Sequence, residues 1–180
     1  MWGSHPGPGL PNSDRYTKPA RGPAAAQGGR PTFSSSAVAD MPPQVYITRS
    51  EEETIAVGRE IASRLRAPAL VLLIGDLGAG KTTLAKGIVS GLGAAAVEDV
   101  SSPTFTLIHE YGQNPKVYHI DLYRLDRIPE LETLGLDDLW DQRAIVLIEW
   151  GEKFSRQLPA ERVEIHLDYA AGEDRRITVY

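Results

Sequence analysis

The stretch "PALVLLIGDLGAGKTTLAKGIVSGLG" (Pro68 to Gly93) limits what this chain can fold into more than any other part of it. Its opening run, "PALVLLIG", is continuously apolar and bounded by Pro68 and Gly75, which predicts a strand buried on both faces of a parallel sheet. Its closing run, "KTTLAKGIVSGLG", sets Leu84, Ile88 and Leu92 four apart on one helix face, with Gly93 as a C-cap. Between them Gly75, Gly80, Lys81 and Thr82 satisfy G-x-x-x-x-G-K-[ST], the phosphate-loop pattern, in the strand-then-helix context that gives the pattern its meaning.

Each residue type in that loop has a physical reason. Gly75, Gly78 and Gly80 let the backbone turn its N–H groups inward around phosphate oxygens, and the helix N-terminus adds its positive end. Lys81 supplies a mobile point charge for the β- and γ-phosphates of a nucleoside triphosphate, and the Thr82 hydroxyl suits a Mg²⁺ ion. Asp76, Leu77, Gly78, Ala79, Gly80, Lys81, Thr82 and Thr83 are therefore the expected nucleotide-binding residues.

A phosphate loop needs a carboxylate at the end of another strand to hold the magnesium shell and position water. The apolar run "AIVLIEW" (Ala144 to Trp150) ends in Glu149, which takes that part. A single acid stands there, so Glu149 covers both tasks or shares them. The sharing candidate is Asp121 in "YHIDLYRL", at another expected strand end where ligands collect in such folds. An Asp in that position also reads as a helix N-cap for a segment starting at Leu122. "VSSPTFTL" (Val100 to Leu107) is dense in hydroxyls, and reads either as a sensor of the γ-phosphate or as a plain turn.

Around this core, "QVYIT" (Gln44 to Thr48) predicts a short strand. "SEEETIAVGREIASRLRA" predicts a helix capped by Ser50 with Glu53, burying Ile55, Ile61, Ala62 and Leu65. "TFTLIHEY" (Thr104 to Tyr111) and "KVYHIDLY" (Lys116 to Tyr123) flank the turn "GQNP" and predict a hairpin. "PELETLGLDDLWDQ" predicts a helix broken at Gly135, and the alternating "RVEIHLDY" and "RRITVY" predict half-exposed antiparallel strands at one side of the sheet. The expected fold class is α/β, a P-loop NTPase-like mixed sheet with helices on both faces and antiparallel strands at the C-terminal end.

Residues 1–43 hold 8 of the 13 Pro and 6 of the 17 Gly with no periodic apolar pattern. Such a stretch cannot bury enough apolar surface to offset its ordering entropy and is expected to be a flexible tail, either foreign to the domain or an over-long start with Met41 as the true first residue. It has no apolar h-region of a signal peptide. Residues 44–180 then form one nucleotide-binding domain with 15 basic and 22 acidic groups, a balance that argues against direct grip on a nucleic-acid backbone. Cysteine is absent, which excludes thiolate metal sites, and no apolar run approaches the roughly twenty residues that span a bilayer. A soluble, cytoplasmic protein with no membrane partner is expected. The four histidines receive no part in the site: His5 lies in the tail, His166 is expected to face solvent, and His109 and His119 lack metal-ligand spacing.

Taken in order and at these separations, "GDLGAGKTT", "SSPTFTL", "YHIDLYRL" and "IEWGE" resemble the bacterial TsaE (YjeE) family, small P-loop ATPases of tRNA threonylcarbamoyladenosine synthesis. The likeness runs from about Val45 to Tyr169, including "EEETIAVG" and "VEIHLDY". It implies ATP or ADP with Mg²⁺ as cofactors, Thr82 and Glu149 as magnesium ligands, Lys81 with the loop backbone as phosphate cradle, Asp121 as a switch residue coupled to catalysis, and Trp150 as a neighbour that affects nucleotide handling. It also implies slow hydrolysis by the chain alone, and TsaD and TsaB as partners whose complex the ATPase resets, with tRNA reached only through that complex. The rival expectation is a small-molecule kinase using the same loop, for which Arg124 and Arg127 are the nearby lid candidates. A nucleotide-dependent binding module without useful turnover is the third.

Overall fold

The computed structural model describes residues 43–140 and 142–180, so the tail expected over residues 1–43 lies, but for Pro43, outside the described residues. The chain runs β1 (Gln44–Thr48), α1 (Glu51–Arg64), β2 (Ala69–Ile74), α2 (Lys81–Gly91), β3 (Ile108–Tyr111), β4 (Lys116–Asp121), α3 (Ile128–Glu132), α4 (Asp137–Trp140), β5 (Ala144–Glu149), β6 (Val163–Tyr169) and β7 (Arg175–Val179). All strands join one sheet in the order β1-β7-β6-β2-β5-β4-β3. Strands β6, β2, β5 and β4 run parallel, and antiparallel β3 and β7 flank them, with β1 outermost beside β7.

The two apolar runs stand at the centre of this sheet. Alternation along them feeds two cores. Val71 and Leu73 of β2, with Ile145 and Leu147 of β5, pack on one face against Leu84 and Ile88 of α2 and Ile61 and Ala62 of α1. Leu70 and Leu72, with Val146 and Ile148, pack on the other face against Leu131 of α3, Trp140 of α4 and Phe154 of the single turn Gly151–Phe154. Helices thus cover both faces, as the sequence predicts.

Ser50 caps α1 by accepting from the Glu53 backbone N–H at 3.1 Å, and the Glu53 carboxylate accepts from the Arg49 N–H at 2.7 Å. The buried stripe of α1 differs from expectation. Ile61, Ala62 and Leu65 are buried, but Ile55 is only half-buried, and Thr54 and Gly58 are buried instead, Gly58 against the backbone of α2. The reason is main-chain contact between helices: a Cβ at Gly87 of α2 would lie 2.4 Å from the Ile55 carbonyl oxygen. Helix α2 buries Leu84 and Ile88 and ends at Gly91 with Leu92 half-buried as its cap; just beyond, the φ of +70° at Gly93 turns the chain so that the Ala94 N–H reaches the Val89 carbonyl at 3.1 Å.

The hairpin forms with shorter arms than predicted. Residues 104–107 are turn rather than strand, because Leu107 folds back to donate its N–H to the Pro103 carbonyl at 2.6 Å. The helical stretch after Arg127 breaks at Gly135 (φ +64°) as expected. The C-terminal strands are corrected in one respect: β6 alternates buried Ile165 and Leu167 with less buried residues as expected, but it lies between β2 and β7 and is antiparallel only to β7, running parallel to β2. The outer place on that side belongs to β1.

Candidate active site

Strand β2 ends against the loop Gly75–Gly80, and α2 starts at Lys81. Gly75 has φ +153°, and a Cβ there would sit 2.3 Å from the Leu167 carbonyl oxygen of β6. Only glycine fits, because the loop must press against the neighbouring strand before it turns. Ala79 closes the turn by donating its N–H to the Asp76 carbonyl at 3.1 Å, and is itself fully buried. Asp76, Leu77 and Gly78 remain exposed at the loop tip, and Leu77 accepts a hydrogen bond from the Tyr169 hydroxyl at 3.0 Å through its carbonyl.

Lys81 is buried, and its ammonium donates to the Gly75 carbonyl at 2.6 Å and the Asp76 carbonyl at 2.8 Å. It also lies 3.9 Å from the centroid of the Trp150 ring. Burial pushes the Lys81 pKa down, while Glu149, Glu152, Asp121 and Asp76 pull it upward. Acids thus surround the cation, and phosphate oxygens would find a charge already placed.

The parallel ladder brings the two predicted carboxylates together. Asp121 of β4 pairs with Glu149 of β5, and Glu149 also pairs with Leu73 of β2, one residue before the strand that feeds the loop ends. The Thr82 hydroxyl donates to Glu149 Oε1 at 2.8 Å. A hydroxyl and a carboxylate are hard oxygen donors, the set Mg²⁺ takes alongside waters and phosphate oxygens. Among the described residues no group of three or more His, Cys, Asp or Glu could by itself hold a metal.

Asp121 does not cap a helix at Leu122. Its Oδ1 accepts from the Tyr123 backbone N–H at 2.9 Å within a turn, and the next helix starts only at Ile128. Its Oδ2 accepts from the Ser102 hydroxyl at 3.0 Å and the Thr104 hydroxyl at 2.5 Å. The hydroxyl-rich loop is therefore moored to the second acid, and it carries Phe105 outward, 86% exposed, with the Arg124 guanidinium 5.3 Å from its ring. Non-glycine residues with left-handed backbone flank the site, Leu107 (φ +68°) and Trp150 (φ +63°), a conformation that bulky side chains rarely adopt.

One site residue escaped the sequence reading. His119 is fully buried, and its Nε2–H donates to Glu149 Oε1 at 2.8 Å. The signal was there in the strand period, since His119 and Asp121 are two apart and share a face of β4. His109, its partner in register on β3, shares a hydrogen bond with the Tyr111 hydroxyl, and His166 is half-buried against the ring of Tyr180. On the other side of the loop, Ser50, Thr54, Gly78, Thr83, Tyr169 and Arg175 line a cavity of about 420 Å³. The Arg175 guanidinium lies 4.4 Å from the centroid of the Tyr169 ring at its wall.

Fold and loop together define the class: this is an α/β protein of the P-loop NTPase-like kind. The family model described as "Threonylcarbamoyl adenosine biosynthesis protein TsaE" matches residues 48–177, and the chain belongs to that family. It is similar to the tRNA threonylcarbamoyladenosine biosynthesis protein TsaE of Bacillus subtilis (strain 168), 41% identical over 132 residues that make up 73% of this chain and 81% of the relative. The protein of the same name from Treponema pallidum (strain Nichols) is 36% identical over 133 residues, 74% of this chain and 97% of the relative. Among solved structures the chain is similar to the crystal structure of Bacillus subtilis YdiB, with a TM-score of 0.63 at 34% identity, covering 77% of this chain and 84% of that one.

Proposed function

We propose that the chain is a Mg²⁺-dependent ATPase accessory to tRNA N6-threonylcarbamoyladenosine modification, acting in the cytoplasm on a TsaB–TsaD complex that it resets or activates. The relatives carry the name of that pathway, and the observation that carries the ATPase reading is the 2.8 Å hydrogen bond from Thr82 Oγ1 to Glu149 Oε1. It joins the first turn of the phosphate-loop helix to the carboxylate at the end of the adjacent strand. In this reading Asp76 to Thr83 would cradle the phosphates, Lys81 would neutralise their charge, and Thr82 and Glu149 would hold a magnesium ion that supplies further positive charge to them. The cavity beside Thr83 and Tyr169 would leave room for the nucleoside. Glu149 and Asp121 orient the attacking water.

Two features support an accessory enzyme over a small-molecule kinase. Arg127 is held by Glu130 at 2.8 Å, and Arg124 lies against exposed Phe105, so both lid candidates are engaged at the surface. Phe105 shares its loop with the hydroxyls that hold Asp121, which gives a protein partner a handle on the site. The test is hydrolysis of γ-labelled ATP by the purified chain, alone and with TsaB and TsaD. The expected result is slow release of free phosphate that rises with the partners, with Glu149→Ala abolishing hydrolysis while ADP binding is largely kept. Fast turnover indifferent to the partners, label on an acceptor, or full activity in Glu149→Ala would each refute the reading.

A further inference from the structure

We propose that His119 is a positioning residue that fixes the Glu149 carboxylate for a divalent cation; the inference rests on the reading of Thr82 and Glu149 as the magnesium shell. Glu149 Oε1 accepts two hydrogen bonds of 2.8 Å, from the Thr82 hydroxyl and from His119 Nε2. The donors come from different elements. Thr82 rides on the first turn of α2, directly after the phosphate loop, whereas His119 sits in β4, inside the sheet. His119 pairs in register with Leu147, two residues before Glu149 on the same face of β5, so its ring meets the carboxylate diagonally across the ladder.

The ring has little freedom to do anything else. It is fully buried, and among the described residues Nδ1 has no hydrogen-bond partner, so the bond from Nε2–H to Glu149 is the polar contact that orients it. A carboxylate accepts and cannot donate, so the bond requires a proton on Nε2. With Oε1 held by donors from helix and sheet, the carboxylate is set in place before any cation arrives. Without His119, Glu149 would depend on a hydroxyl from the element that the nucleotide itself engages. Partners of this kind, which hold a metal-binding carboxylate without touching the metal, commonly account for about 10–100-fold in metal affinity or activity.

The experiment titrates Mg²⁺ against ADP binding, followed calorimetrically in the wild-type chain, His119→Leu and His119→Gln, with ADP affinity in EDTA measured for each. Leu keeps bulk and removes the N–H; Gln restores an N–H of similar reach. The expected result is a Mg²⁺ midpoint raised about 10–100-fold in His119→Leu, an unchanged ADP affinity in EDTA, and recovery of most of the shift in His119→Gln. Should the Leu variant fail to fold, His119→Asn, whose amide is too short to reach Glu149, replaces it. A wild-type Mg²⁺ midpoint in the variant without the donor, or an equal shift in both variants, would overturn the inference alone. A wild-type chain that binds ADP without any response to Mg²⁺, or that binds no ADP, would overturn the magnesium reading beneath it.

Discussion

The Lys81 ammonium stands 3.9 Å from the centroid of the Trp150 ring while donating to two carbonyls of its own loop. Phosphate oxygens compete for that ammonium, so binding of nucleotide changes the charge over the indole. Tryptophan emission should therefore shift on addition of ADP, and Trp150→Phe should remove the response while leaving Trp2 and Trp140 as an unresponsive background. Lys81→Met should weaken ATP binding by about tenfold or more, the value of a charge-assisted hydrogen bond or two. Equilibrium titration by fluorescence and calorimetry checks both.

Asp121 holds Ser102 and Thr104 by their hydroxyls, and Asp121 is itself buried. Removing the shared acceptor frees two donors and cuts the tie between the loop and β4. Asp121→Ala should destabilise the protein by about 1–3 kcal/mol in chemical denaturation. It should also raise the rate of chymotryptic cleavage at Phe105 above that of the wild-type chain.

Glu152 faces the opposite problem. Burial pushes its carboxyl pKa above the ordinary range, against the pull of Lys81, His166 and Lys153, and its Oε2 is buried without a hydrogen-bond partner among the described residues. The folded chain thus holds this proton at a higher pH than the unfolded chain does. Its stabilising effect is present below the ordinary Glu range and is lost as pH rises through the raised native value. Glu152→Gln should raise Tm by about 1–2 °C at neutral pH, as a few tenths of a kcal/mol would in a domain of this size. The gain should vanish in acid, and thermal melts across the pH range follow it.

Gly87 lies where α1 and α2 touch by their backbones, with space for a hydrogen and none for a methyl group. Gly87→Ala must push the helices apart, against the preference that alanine otherwise has within a helix. The expected cost is about 1–3 kcal/mol, the usual range for overpacking, read as a lowered denaturation midpoint.

The central strands, the phosphate loop and the pairing of Asp121 with Glu149 were legible because local signals and fold agree there: an unbroken apolar run has few uses besides a buried strand, and a loop of that spacing few besides phosphate. The part of Gly58 and Gly87 was not legible, since a glycine inside a helix lowers the expectation of burial, and the gain comes from a neighbour the sequence does not name. His119 was missed for a related reason. Spacing to other ligands was the criterion, whereas its partner is a carboxylate on another strand, thirty residues on. Thr104 to Leu107 read as strand because Thr, Phe and Leu favour pleated backbone, and the hydroxyl contact of Thr104 to Asp121 together with the turn at Leu107 outweighs that preference.

Gly75 is closed from behind by the Leu167 carbonyl, so one wall of the phosphate loop is supplied by the last third of the chain. The motif reads as a self-sufficient cassette of a dozen residues, yet it is not portable. A fragment ending before β6 would carry every residue of the signature and lack the surface that gives the loop its curvature, and grafting those residues onto another strand would transfer the letters without the shape.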